Sequence, residues 1–436
     1  MPQTLEHLHI LDLLDVRRGA AVVTKTDVVV PDRVDAVAAE VRQALAGTSL
    51  HGAPMFQVSA QTGEGLSALQ EWLHGATTEE ASPEDDGRHF RMPVDRAFTV
   101  AGSGTVVTGT IASGSVAVGD HLVVSPSGKQ VRVRAVQVQG RPAARACTAK
   151  RCALNLSGVG VDDVGRGDWV VHADVHAPTS RIDARLKVLA SEAHALEHWT
   201  PVHLHLGTAD VLARIGVPGE GSIAPGTSSL VQLVLHDPIA ALNGDRFVVR
   251  DQAARRTIGG GVVLDPFAPR RKRRAGLRHA ELQAMERATP AQILTGLLEI
   301  AESGVDLQAV TRSLNLTSER AAALQRDAQA VALGKDRPVA ISRAAADLLA
   351  ARIVAALREF HALHPQSTGQ EAAALRRAVA PQLPAAAFQA FVRELANRGT
   401  IVLSNDLARL REHEATANAE DEELWRRVQG GLVRAG

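Results

Sequence analysis

The chain has 436 residues, with 45% hydrophobic and 22% charged residues and a formal net charge of zero, which is the balance of a soluble globular protein of about three domains. Aromatic residues make up 3% and Tyr is absent, which argues against a single-stranded nucleic-acid surface built on stacked rings. The two cysteines, Cys147 and Cys152, are too few for a disulfide framework or a zinc site, and read as small buried residues of a reduced, cytoplasmic protein. No apolar run reaches the roughly 18 residues of a membrane span, and no basic segment precedes an apolar one as in a signal peptide.

Residues 1–76 alternate helix and strand. Leu5 to Leu14 has helical spacing, Gly19 ends it, and Ala20-Ala21-Val22-Val23 reads as a short buried strand. Pro31 to Ala46 places Val34, Val37, Val41 and Leu45 on one helical face; Met55 to Ser59 is a second strand, and Leu66 to Leu73 a closing helix. The alternation predicts a parallel α/β layer, too short for a complete doubly wound domain. A polar, acidic linker follows at 77–88. From 89 to 268 the pattern is of strands, with valines near period two around Arg132 and Arg134 and glycines as punctuation. Two β-barrels are expected, at 89–176 and 177–268. The linker 269–288 holds the basic run Arg270 to Arg274, which either steers RNA or is simply solvated. The order helix, helix, helix, strand then occurs twice, at 289–341 and 342–410, as in winged-helix units, and 411–436 is an incomplete, partly helical tail.

Two loops carry chemistry. Thr24-Lys25-Thr26-Asp27 follows the first strand, and Ser59-Ala60-Gln61-Thr62-Gly63 follows the next. A carboxylate at Asp27 can accept two hydrogen bonds from the N1–H and N2-amine of guanine, a donor pair that adenine lacks. The Lys25 stem would lie along the base, and the backbone at Ser59 and Ala60 would face the guanine O6. Either string alone is as well explained by helix capping. Both in order, at the ends of successive strands, point to a ligand at the carboxyl end of the sheet.

The string Met1-Pro2-Gln3-Thr4-Leu5-Glu6-His7 resembles the helix after the second switch of translational GTPases, with Leu5 in place of the usual Arg. Pro93 to Thr110 is similar to the second domain of elongation factor Tu relatives. Asp95-Arg96-Ala97-Phe98, Arg151 to Leu156, Gly244 to Arg250 and Thr257 to Leu264 resemble the selenocysteine-specific elongation factors (SelB) in particular. The appended winged-helix units agree with that family. The resemblance implies a partial α/β P-loop-type GTPase domain at 1–76, followed by the barrels and winged-helix units. It implies guanine recognition at Thr24, Lys25, Asp27, Ser59 and Ala60, and a selenocysteine pocket at Asp95, Arg96 and Arg151. The pocket makes chemical sense: a selenol is more acidic than a thiol, whose pKa is about 8.5, so the selenolate would draw two guanidiniums that neutral serine would not. The alternative for these three residues is an ordinary ion pair on a barrel rim.

For the intact relatives the resemblance implies GTP or GDP with Mg²⁺, and as partners selenocysteinyl-tRNA, the ribosome at UGA codons and a selenoprotein mRNA hairpin, for a monomer without membrane attachment. Here no G-x-x-x-x-G-K string followed by Ser or Thr occurs, and no D-x-x-G switch precedes Met1. The chain by itself is expected neither to hydrolyse GTP nor to bind it tightly, and no catalytic residue or metal ligand is assigned. It is expected to be truncated at both ends, with an apolar sheet edge exposed. The alternatives are a factor for another aminoacyl-tRNA, a nucleotide-independent RNA- or tRNA-binding remnant, and a truncated gene product without GTPase activity.

Overall fold

A computed structural model describes residues 2–78, 86–100, 104–269, 275–335, 337–416, 423–426 and 428–429. Met1, the basic run 270–274 and most of the tail after 416 lie outside the described residues. The chain divides into two compact units, one of Met1–Leu282 with Arg312–Thr317, the other of Gln283–Thr311 with Ser318–Gly436.

In the first unit, helix Pro2–Leu13 is followed by two parallel strands, Ala21–Thr24 and Met55–Val58, with helix Pro31–Leu45 between them and helix Leu66–Thr78 after them. Val34, Ala38 and Leu45 are the buried residues of the middle helix; of the expected face, Val34 and Leu45 are buried while Val37 and Val41 are only half-buried. Pro31 starts it, fixing φ where no N–H is required. The expected buried strand at 20–23 is corrected: the strand is Ala21–Thr24, its residues alternate between half-buried and exposed, and Val22 is 40% exposed. Among the described residues this sheet has two strands, and the face carrying Val22 stays open to solvent.

Beside a separate two-stranded sheet of Ser115–Ala117 and Arg145–Cys147, most strands from Arg91 to Val171 form one curled sheet, with Arg141–Ala143 paired to Lys129–Val138 off its path. Its order is Arg91–Pro93, Trp169–Val171, His121–Ser125, Lys129–Val138, Arg151–Ser157, Gly104–Thr110, Arg96–Val100. No ladder closes this path, but Arg91 bridges to Ser113, and the Asp95 N–H donates to the Thr108 carbonyl (2.9 Å), so the sheet rolls into a barrel. Val131, Val133 and Val136 point inward; the break in alternation at Arg134 coincides with a bulge between Asn155 and Leu156. Cys152 is buried, its thiol pushed up to about 12 chiefly by burial, whereas Cys147 is only half-buried, contrary to expectation.

The second barrel closes completely, through Thr179–Val188, Ser228–Ile239, Ala209–Gly216, Thr200–Leu206, Arg246–Asp251 and Thr257–Asp265. Ile182, Leu186, Leu204, Ile215 and Phe247 fill it, each side chain contributing about 1.5–3 kcal/mol on burial. The two barrels share a core through Trp169 and Val171. Arg91 forks onto Asp245 (3.0 and 2.7 Å) while lying 4.4 Å over the Trp169 ring. Gly207 has φ 59°, and a Cβ there would meet the Trp169 ring at 2.6 Å. The first helix sits on this second barrel: Leu13 packs with Leu189 and Val248, and Glu6, Asp12 and Asp15 pair with Arg250 (2.9 Å), Lys187 (3.2 Å) and Arg246 (2.7 Å). From the segment after the barrel, Arg278 donates to Asp183 and Asp265 at 2.6 Å each and to Glu281 at 2.9 Å. Burial raises the Asp183 carboxyl above its usual range despite this partner.

The second unit repeats one topology. Helix Pro290–Ile300, capped by Thr289 and Gln292, leads to Val305–Asp306, helix Ser318–Asp327 and strands Ala330–Leu333 and Val339–Ser342. Helix Arg343–Leu363, capped by Ser342, leads to Gln370–Glu371, helices Ala372–Val379 and Ala385–Asn397, and strands Ile401–Ser404 and Leu407–Leu410. Both three-stranded sheets place the first strand beside the third, as winged-helix units do. Short strands Val305–Asp306, Gln370–Glu371 and Leu407–Leu410 were beyond the sequence pattern.

Candidate functional site

The first candidate site is the carboxyl end of the parallel pair. Thr24 pairs with Val58, so the loops after them leave the sheet side by side. Lys25 has φ 59°, a left-handed conformation that turns the chain into the short helical turn Thr26–Val28. Ser59 is fully buried, and its hydroxyl donates to Asp27 Oδ1 at 2.6 Å while accepting from the N–H groups of Gln61 (3.2 Å) and Thr62 (3.1 Å). The carboxylate of Asp27 is therefore oriented by a residue 32 positions away, while the Asp27 residue itself stays exposed. Thr24, Lys25 and Ala60 are exposed around it. Gly65 closes the second loop with φ +70°, and a Cβ there would lie 2.1 Å from the Gln57 carbonyl oxygen. Thus the structure brings Thr24, Lys25, Asp27, Ser59 and Ala60 to one sheet end.

The second candidate site is the rim of the first barrel. Asp95 precedes the edge strand Arg96–Val100, and Arg151 opens the strand Arg151–Ser157; strand Gly104–Thr110 lies between the two. Arg151 Nη1 donates to Asp95 Oδ2, and Thr108 Oγ1–H donates to Asp95 Oδ1 at 2.5 Å. Burial pushes the Asp95 carboxyl up, but hydrogen bonds from Arg151 and Thr108, then the charges of Arg151 and Arg96, outweigh it and hold the group below its usual range. The Arg151 side chain is 58% exposed, so one face of its guanidinium remains open. Arg96 is exposed beside it and acts on Asp95 through charge; among the described residues it donates no hydrogen bond to Asp95. Among the described residues, Asp95 therefore orients Arg151 and not Arg96. Thr108 was missed by the sequence reading; its signal is a hydroxyl in a half-buried slot among the valines of its strand.

A third cluster had no sequence signal. His89, His172 and Asp174 place one donor atom each within 4.8 Å of the others at the end of the first barrel.

Known proteins supply the context. A chain from Desulfomicrobium baculatum, named selenocysteine-specific elongation factor, is 32% identical over all of this chain and 69% of its own length. This chain belongs to the selenocysteine-specific elongation factor family. A relative of the same name from Escherichia coli is 30% identical over 98% of the chain and 67% of its own length. Family models agree in parts: elongation factor Tu domain 2 matches residues 104–171, the selenocysteine-specific elongation factor β-barrel domain matches 183–270, and the elongation factor SelB winged helix matches 354–410. A crystal structure of a bacterial selenocysteine-specific elongation factor, EF-Sec, superposes with a TM-score of 0.71 over 100% of this chain and 68% of that one, at 21% identity, which bears on the fold alone. The arrangement is thus a multidomain elongation factor Tu-like fold with β-barrels and a winged-helix domain. No described helix is long and apolar enough to cross a membrane.

Proposed function

We propose that this chain takes part in selenocysteine incorporation by binding selenocysteinyl-tRNA on the rim of its first barrel, for delivery to the ribosome at UGA codons. The observation that carries the reading is the open guanidinium of Arg151, anchored by an ionised Asp95 with Arg96 beside it. Two permanently protonated groups at a rim favour a selenolate over a neutral hydroxyl. A carboxylate between them restrains Arg151 without filling its outer face. The family membership supplies the choice of this ligand over another anion. Arg151→Ala should cut the preference for selenocysteinyl-tRNA over seryl-tRNA roughly tenfold to a hundredfold, the size of a lost hydrogen bond to a charged group. An unchanged ratio in filter-binding or fluorescence titration overturns the reading.

We read residues 1–76 as the second half of a P-loop-type GTPase domain that recognises guanine. Asp27, exposed and fixed by Ser59, fits the N1–H and N2-amine of that base, and Lys25 and Thr24 flank it. When bound, GTP or GDP with Mg²⁺ would supply the energy for a switch. The residues fit the base alone: the 436-residue sequence holds no phosphate-cradling string. We derive no hydrolysis step for this chain. Isothermal titration of GDP with Mg²⁺ into the chain should give an affinity weaker than about micromolar, since phosphate contacts dominate such binding; micromolar or tighter affinity contradicts this. Gln325, Arg326, Gln329 and Arg343 line an open groove whose donors suit RNA phosphates; the mRNA hairpin is a partner we assign to the intact relatives. Such work belongs in the cytoplasm.

A further inference from the structure

We propose that His89, His172 and Asp174 form a site for a divalent transition metal of the zinc class, with a fourth position open, that clamps the start of the first barrel to its last strand. His89 lies just before strand Arg91–Pro93, and His172 just after its antiparallel partner Trp169–Val171. The His172 N–H donates to the Phe90 carbonyl at 2.9 Å, so the backbone that sets both imidazoles is already paired. The rings stack with centroids 4.5 Å apart and planes 19° from parallel. Asp174, two residues beyond His172, brings Oδ2 to 3.8 Å from His89 Nε2 and 3.6 Å from His172 Nδ1.

The donor set is two imidazoles and one carboxylate. That combination suits zinc, cobalt or nickel and is poor for magnesium or calcium, which take oxygen. Metal–ligand bonds of about 2.0–2.1 Å put donors about 3.3 Å apart in a tetrahedral site. The two carboxylate–imidazole separations, 3.6 and 3.8 Å, are close to that, and all three donors lie within 4.8 Å of one another. Asp174 is 66% exposed and His172 43% exposed at the side chain, so rotation of these two groups suffices to close the gap. His89 is the fixed member. Its side chain is 13% exposed, and its ring makes a hydrogen bond to the Leu316 backbone, the arrangement that sets the tautomer and orientation of a metal-binding imidazole. A competing contact, from the Asp174 N–H to His172 Nδ1, is long at 3.3 Å. Arg312 Nε–H donates to the Asp174 carbonyl at 2.9 Å, which fixes the backbone that carries the carboxylate.

The test uses the full chain, stripped with a chelator, and the metals alone. Zn²⁺ is titrated calorimetrically, and Co²⁺ is followed by visible absorption. One Zn²⁺ per chain and the intense Co²⁺ bands of a four-coordinate site are expected. His172→Gln and Asp174→Asn, both at accessible positions and checked by circular dichroism, should each weaken Zn²⁺ at least tenfold, since even losing a group that merely orients a ligand costs about that much. His203→Gln serves as control, because His203, His205 and Asp210 form a separate cluster on the second barrel, with His203 Nδ1 2.9 Å from Asp210 Oδ1. Absence of Zn²⁺ binding by the wild-type chain overturns the proposal, as does binding that both variants leave intact or that His203→Gln removes.

Discussion

Two Asp–Arg clusters in the same unit have the same chemistry and different surroundings. On the second barrel, Arg278 bridges Asp183 and Asp265, with side-chain exposures of 18% for the arginine and 5% for Asp183. On the first barrel, Arg151 meets Asp95 with exposures of 58% and 21%. Water decides what each can do. Where it is excluded, charge neutralisation is a condition of folding, and no face is left for a ligand. Where it has access, the pair contributes little to stability and keeps donors free. Residue type alone does not separate an anchor from a binding group.

The sharpest way to break this contrast is Arg278→Ala. It strands two carboxylates, one of them deeply buried, and should lower unfolding free energy by about 3–5 kcal/mol in urea melts. A variant that unfolds with the wild-type midpoint would show that the cluster is hydrated and that the distinction fails. A carboxyl titration followed by NMR is next. Asp95 should lose its charge below the ordinary value of about 3.9 and Asp183 above it. The consequences have opposite signs. Asp95 has a lowered folded-state value, so its contribution is complete above the unfolded value and is lost as pH falls through the folded one. Asp95→Asn should therefore be less stable than wild type at neutral pH and converge with it in strong acid. Asp183 has a raised value, so its contribution is complete below the unfolded value and is lost as pH rises through the folded one. The smallest expected effect on stability is that of Arg151→Ala, which should leave the thermal midpoint nearly unmoved while the tRNA preference changes. A large loss of stability there would make Arg151 an anchor like Arg278.

Much of this architecture can be read in the residues because it follows local periods. The stripe of Val34, Ala38 and Leu45 declares a helix, and alternating valines with glycines declare strands. The two loops at Lys25 and Ser59 could be paired from the sequence because parallel strands end at the same side of a sheet. Other features depend on contacts between distant residues. Val22 looked buried because its strand is apolar, yet burial requires a covering element. Val305–Asp306 and Gln370–Glu371 are two residues long, too short to show any period. Arg278 sits 95 positions from Asp183, and His89 lies 83 positions before His172, so neither cluster leaves a spacing in the chain. That Asp95 orients one arginine of two depends on side-chain reach across an intervening strand.

The absent side chain at Gly207 has a consequence for how force passes through the molecule. With the Trp169 indole seated against that bare backbone and Arg91 forked onto Asp245, the barrels meet through an interlocked, largely buried seam. Such a seam resists sliding and twisting, as close-packed interiors do.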